Sequence, residues 1–82
     1  MMVLEMQQVY VKFNNVEQVT NFINIIDKID INFDLGMGNR TVDAKSVIGV
    51  FGLDLTKPQL LRYDSDDHRI MEKITPFLAA AE

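Results

Sequence analysis

His68, Ser46 and the acidic trio Asp64, Asp66 and Asp67 are the residues of this 82-residue sequence whose types could carry chemistry. An imidazole can hold a proton, a phosphoryl group or a metal, a serine hydroxyl can accept phosphate, and clustered carboxylates can hold a cation. His68 is the sole histidine and stands beside Asp66 and Asp67 at the start of the last helical pattern, where a solvated helix residue is expected. The three aspartates lack the glycine turn and distal glutamate of a calcium loop, so helix capping is their expected role. Gly36-Met37-Gly38 follows a strand and leads into another strand, which reads as a hairpin turn and not as a phosphate cradle before a helix. With no cysteine there is no thiol nucleophile, thiolate metal site or disulfide. No catalytic constellation, metal site or cofactor site emerges, and the chain is expected to act by being bound.

The elements that would position these residues follow from periodicity. Val9, Val11 and Phe13 alternate with polar positions as in a strand with one buried face. Asn15 can cap a first helix, with Gln18 at capping-box spacing and Val16, Val19, Phe22, Ile23 and Ile26 at helical intervals, running to about Lys28. Ile31, Phe33 and Leu35 alternate in a second strand, and Gly36-Met37-Gly38-Asn39 turns the chain into a third, Arg40-Thr41-Val42. Ser46 can cap a short helix that ends before Lys57-Pro58. Leu60 to Tyr63 forms a fourth strand, and Ser65 is read as the cap of a last helix with Ile70, Ile74, Phe77 and Leu78 on one face and Pro76 kinking or ending it. The predicted fold is α+β, in the order β-α-β-β-α-β-α, with helices on one face of a four-stranded antiparallel sheet and one domain spanning 1–82.

Composition agrees with a packed domain that binds protein. The chain is 48% hydrophobic, enough for one core, and too short for a second. Its formal net charge of -4 repels phosphate backbones and anionic lipid, so neither nucleic acid nor membrane is the expected partner. No apolar run approaches the roughly 18 residues of a membrane span. The start Met1-Met2-Val3-Leu4-Glu5-Met6 shows no basic segment followed by an apolar run, and a cytoplasmic location is expected.

One segment resists a purely structural account. Val47-Ile48-Gly49-Val50-Phe51-Gly52-Leu53 contains no polar side chain. In a helix, Val47, Val50 and Leu53 cannot fully share a buried face with Ile48 and Phe51, because neighbouring positions are turned by about 100°. One set should face outward, in a domain too thin to bury a helix on both sides.

The stretch Val42-Asp43-Ala44-Lys45-Ser46-Val47-Ile48-Gly49-Val50-Phe51-Gly52-Leu53 resembles the V-N-A-K-S-I-M-G-V-M-S-L segment of HPr, the phosphocarrier family of the bacterial phosphoenolpyruvate-dependent sugar phosphotransferase system. Elsewhere the likeness is one of element order and spacing. The resemblance implies an open-faced β-sandwich of four antiparallel strands with three helices on one side. It also implies a phosphate-carrying histidine within G-[LI]-H-x-R-P at the start of the first helix. Aligned without gaps, Asn15 stands at that histidine, Glu17 at the arginine and Gln18 at the proline. An amide does not accept phosphate as imidazole does, and Glu17 would repel it, so this is a degenerate phosphocarrier site.

What the resemblance leaves intact is a regulatory serine and a docking helix. In HPr of low-GC Gram-positive bacteria, the serine at the position of Ser46 is phosphorylated by a dedicated kinase. A phosphoserine at a helix N-terminus gains from the dipole, with Lys45 expected to balance its charge, whereas Asp43 opposes it. The expectation is an HPr-like regulatory or adaptor protein, similar to the catabolite-repression member of the family. Protein partners such as HPr kinase or a transcriptional regulator would bind through Lys45, Val47, Ile48 and Phe51. The alternatives are a phosphocarrier working through another residue, and a structural domain that forms a homodimer through the apolar helix.

Overall fold

A computed structural model describes residues 6–79; the segment 1–5, on which the reading of the chain's start rests, lies outside them. The elements are β1 (Met6–Val11), α1 (Val16–Asp27), β2 (Phe33–Met37), β3 (Arg40–Asp43), α2 (Val47–Phe51), β4 (Gln59–Asp64) and α3 (His68–Ile74), the last running into a 3₁₀ turn at Thr75–Phe77. The fold is α+β. An open, fully antiparallel four-stranded sheet has the order β1-β4-β2-β3, and three helices accompany it.

Alternation decides which face of the sheet is covered. Val11, Phe33, Leu35, Leu61 and Tyr63 are buried and join Val19, Phe22, Ile23, Ile26, Val50, Ile70 and Ile74 of the helices in a single cluster. The neighbouring positions Gln8, Tyr10, Asp34 and Arg62 remain exposed. Phe13 lies beyond β1, yet it is buried with its ring 5.2 Å from Phe22 and 6.0 Å from Phe77. The last described residues lie against the free edge of β1, where Ala79 N–H donates to the Tyr10 carbonyl and Lys12 N–H to the Phe77 carbonyl, both at 2.9 Å.

The β2–β3 hairpin is tighter than the sequence suggests. Gly36 and Met37 belong to β2, leaving Gly38 and Asn39 as a two-residue turn in which Gly38 takes φ +64°. That is the backbone of a turn with glycine first, matched to the strands' right-handed twist. Gly36 is required for a different reason: a Cβ there would collide with the Arg40 carbonyl and stand 2.7 Å from the Thr41 Cα.

Two helix boundaries also differ from expectation. Val16 is the first residue of α1 but points away from the core, 65% exposed, so the buried stripe begins at Val19. The cap of α3 is Asp67, not Ser65; the Asp67 carboxylate accepts the Arg69 N–H at 3.0 Å, while the Ser65 hydroxyl accepts the Asp67 N–H one step earlier. Pro76 stands inside the 3₁₀ turn that closes α3.

Candidate docking surface

The path from β3 into α2 is fixed by short local bonds. The Asp43 carbonyl accepts the Ser46 N–H and its side chain accepts the Lys45 N–H, both at 2.9 Å, while the buried Ala44 donates to the Phe33 carbonyl. Ser46 is extended at φ -90°, ψ 109°, and its hydroxyl accepts the Gly49 N–H at 3.2 Å. This is an N-cap, as its residue type and position predict. The helix then lasts five residues.

In so short a helix the core accepts only one line of side chains. Val50 is fully buried and Leu53 nearly so, whereas Val47, Phe51 and above all Ile48, 88% exposed, face outward. The expected division is therefore present with one change, since Val47 lies with the exposed set.

Phe51 also borders an open cleft of about 440 Å³ between α2 and the β1–α1 connection. Phe13, Val16, Val19 and Leu55 give it apolar walls; Lys12, Asn15 and Thr56 stand among its polar residues. Apolar surface thus continues from Phe51 across the cleft to Val16. Local bonds hold the side formed by Leu55 and Thr56. The backbone N–H and hydroxyl of Thr56 both donate to the Asp54 carboxylate, which holds it below the usual carboxylate range, and the buried Gln59 amide donates to the Asp54 and Lys57 carbonyls.

Asn15 and Glu17 occupy the start of α1 as ordinary helix residues. The Asn15 side chain accepts the Gln18 N–H at 2.9 Å and the Gln18 side chain accepts the Asn14 N–H at 2.8 Å, one residue earlier than a regular capping box. Glu17 is exposed in the first turn. His68 lies at the other end of the sheet: Val11 pairs with Gln59 near Asn15, and Met6 with Asp64 near His68. Five residue steps at about 3.3 Å separate these ends by roughly 17 Å, so the imidazole cannot substitute at the Asn15 position.

Lys45 does not face the surface expected of it. Its Nζ donates to the Ile29 carbonyl at 2.6 Å and lies 5.9 Å from the centroid of the Phe33 ring. The ammonium therefore tethers the start of α2 to the segment after α1, and it is not available to balance charge on Ser46. Of the expected docking residues, Val47, Ile48 and Phe51 are exposed and Lys45 is turned inward. Sequence reasoning missed Val16, Leu55 and Thr56; helical spacing placed Val16 in the buried stripe, and no periodicity marks the 54–57 loop. Among the described residues, no helix is long and apolar enough to cross a membrane. No protein-family model, curated protein or solved structure matches this chain.

Proposed function

We propose that this chain is an HPr-like regulatory or adaptor module that docks a protein partner through the outer face of α2 and the adjoining cleft. The observation that carries the reading is the exposure of Ile48, beside Val47 and Phe51, on a helix that gives only Val50 to the core. Burying one such side chain against a partner contributes about 1.5 to 3 kcal/mol. The agreement of element order with the HPr pattern supports an HPr-like arrangement of the open sheet and helices. The use of the Asn15 side chain as a cap, with Glu17 beside it, argues against phosphate transfer at the start of α1.

Ser46 is the proposed regulatory position. It is exposed at the edge of the same face, two residues from Ile48, so a phosphoryl group there would alter docking directly. Asp43 and the inward Lys45 make the local field less favourable to that dianion than the sequence pattern implies.

The test is capture of partners from cells that express the chain, repeated with Ile48→Asp and Phe51→Asp, alongside incubation with HPr kinase and ATP. A partner lost with either substitution and phosphate on Ser46 are the expected results. An unmodified Ser46 together with capture indifferent to Phe51 would sink the regulatory reading. Incubation with phosphoenolpyruvate and the general phosphotransferase enzymes should leave the intact mass unchanged; a phosphohistidine at His68 would replace this reading with that of a carrier. Light scattering that finds a dimer, made monomeric by the same two substitutions, would assign the face to self-association.

A further inference from the structure

The chain has 12 acidic and 8 basic side chains, yet three of its cations converge on one cleft at the end of the sheet opposite the docking surface. Lys28 follows the last turn of α1, Arg69 and Lys73 lie on α3, and together with Ile29 and the buried Ile70 they border about 220 Å³. Asp67 is the one acidic residue lining it among the described residues, and its carboxylate is already engaged. It accepts the Arg69 Nε at 3.0 Å and Nη2 at 2.9 Å, besides capping α3. This two-pronged contact sets the plane of the guanidinium and leaves Nη1 without a partner among the described residues.

The two lysines, unlike Arg69, carry no ion pair among the described residues. Asp27 precedes Lys28 and Glu72 precedes Lys73, but among the described residues neither lysine has a carboxylate within 4.0 Å. Lys45, bonded to the Ile29 carbonyl, adds a fourth positive charge behind the wall. Asp67 offsets one of these charges; those that remain repel one another, and a multivalent anion between them turns that repulsion into attraction.

We propose that this cleft binds a small phosphate-bearing anion. A planar guanidinium held in place supplies directed donors, and two ammonium groups on flexible stems supply the remaining charge, a combination suited to a tetrahedral dianion. The volume admits a phosphate or pyrophosphate group, with any larger part of the ligand left in solvent. Each lysine also stands near a helix C-terminus, where the macrodipole favours it. That role alone predicts lower stability on neutralisation and no saturable response to an anion.

Titration with inorganic phosphate and then pyrophosphate, at constant ionic strength in chloride, is followed by amide chemical shifts. Saturable shifts are expected at Ile29, Ile70 and Lys73, and none at Val16 or Phe51. Lys28→Gln with Lys73→Gln should weaken the response at least about tenfold. Lys12→Gln, which removes a charge at the other end, should leave it unchanged. These are exposed positions, so the variants should fold, and their amide spectra check this directly. Shifts that never saturate, equal weakening by Lys12→Gln, or a response only to vesicles containing phosphatidic acid would each overturn the proposal. None of these outcomes bears on partner docking at α2, which is read by a different experiment.

Discussion

α1 and α2 both present apolar side chains and use them in opposite ways. In α1, twelve residues long, Val19, Phe22, Ile23 and Ile26 are buried and one large apolar side chain, Val16, is left exposed at the first position. In α2, five residues long, Val50 alone is buried, while Val47, Ile48 and Phe51 face outward. The first helix is a wall of the core. The second is held by Val50 in the core and by polar contacts at its N-terminal end, the Ser46 cap, the Asp43 turn and the Lys45 tether, which leaves its outer face free of any structural duty. An apolar segment positioned by polar contacts at its boundary can offer its side chains to a partner without loosening the fold.

The comparison is most easily broken at Phe22. Its ring is fully buried and stacks edge-on with Phe13 and Phe77 at 5.2 and 5.3 Å, so Phe22→Ala should cost about 3–5 kcal/mol in urea unfolding. A domain of this size has roughly 4–12 kcal/mol in total, so the substitution should remove a quarter or more of its stability. A loss below about 1 kcal/mol would mean that α1 does not form the core wall described here.

The second expected effect is smaller and concerns the ends of α2. Ser46→Ala removes the acceptor for the Gly49 N–H and should cost about 1 kcal/mol, whereas Ser46→Asp, an equally good cap, should be close to neutral. If alanine and aspartate behave alike in thermal unfolding, the helix is not held by its cap. Should Ser46→Asp keep stability and still weaken capture of a partner, the regulatory role proposed for Ser46 is sharpened.

How far the sequence anticipated this arrangement depends on whether a feature is local. Strand alternation, the Asn15 and Ser46 caps and the buried stripes of Val19, Phe22, Ile23 and Ile26 and of Ile70, Ile74 and Phe77 are written within a few residues, and they are readable because burial repeats at fixed intervals. Val16, Ser65 and Leu78 lie at the edges of elements, where one turn of backbone decides whether a side chain faces the core or which oxygen reaches the first free N–H, and spacing alone misplaces all three. The cleft beside Phe51 and the meeting of Lys28 with Arg69 and Lys73 depend on segments some forty residues apart. No spacing rule within a single sequence brings them together. Lys45 is the sharpest case: the resemblance to HPr implies a surface residue, and only the position of the Ile29 carbonyl shows where its ammonium goes.

Acid titration distinguishes the cap of α3 from that of α2. Bonds from the Arg69 side chain and backbone hold the Asp67 carboxyl down to about 2, well below its ordinary value. A carboxylate whose folded value is depressed contributes stability above its unfolded value, about 4, and loses it as pH falls through the folded one. The thermal midpoint of the wild type should therefore exceed that of Asp67→Asn at neutral pH, with the gap closing between about pH 4 and pH 2. A gap independent of pH over that range would show that the charge on Asp67 is not what holds Arg69 and the start of α3.

The smallest effect on stability is expected where the largest effect on binding is. Ile48 is 88% exposed, so Ile48→Asp removes almost no buried surface and should change the unfolding free energy by no more than about 0.5 kcal/mol. The same substitution places a charge in the middle of the apolar face, where a partner would have to desolvate it, and burying a charge without a counter-charge is strongly unfavourable. Urea unfolding and partner capture on the same preparation therefore separate the two roles of α2. A variant destabilised by 2 kcal/mol or more would place Ile48 in the fold itself. Unchanged stability with unchanged capture would leave the exposed face of α2 without the docking role assigned to it.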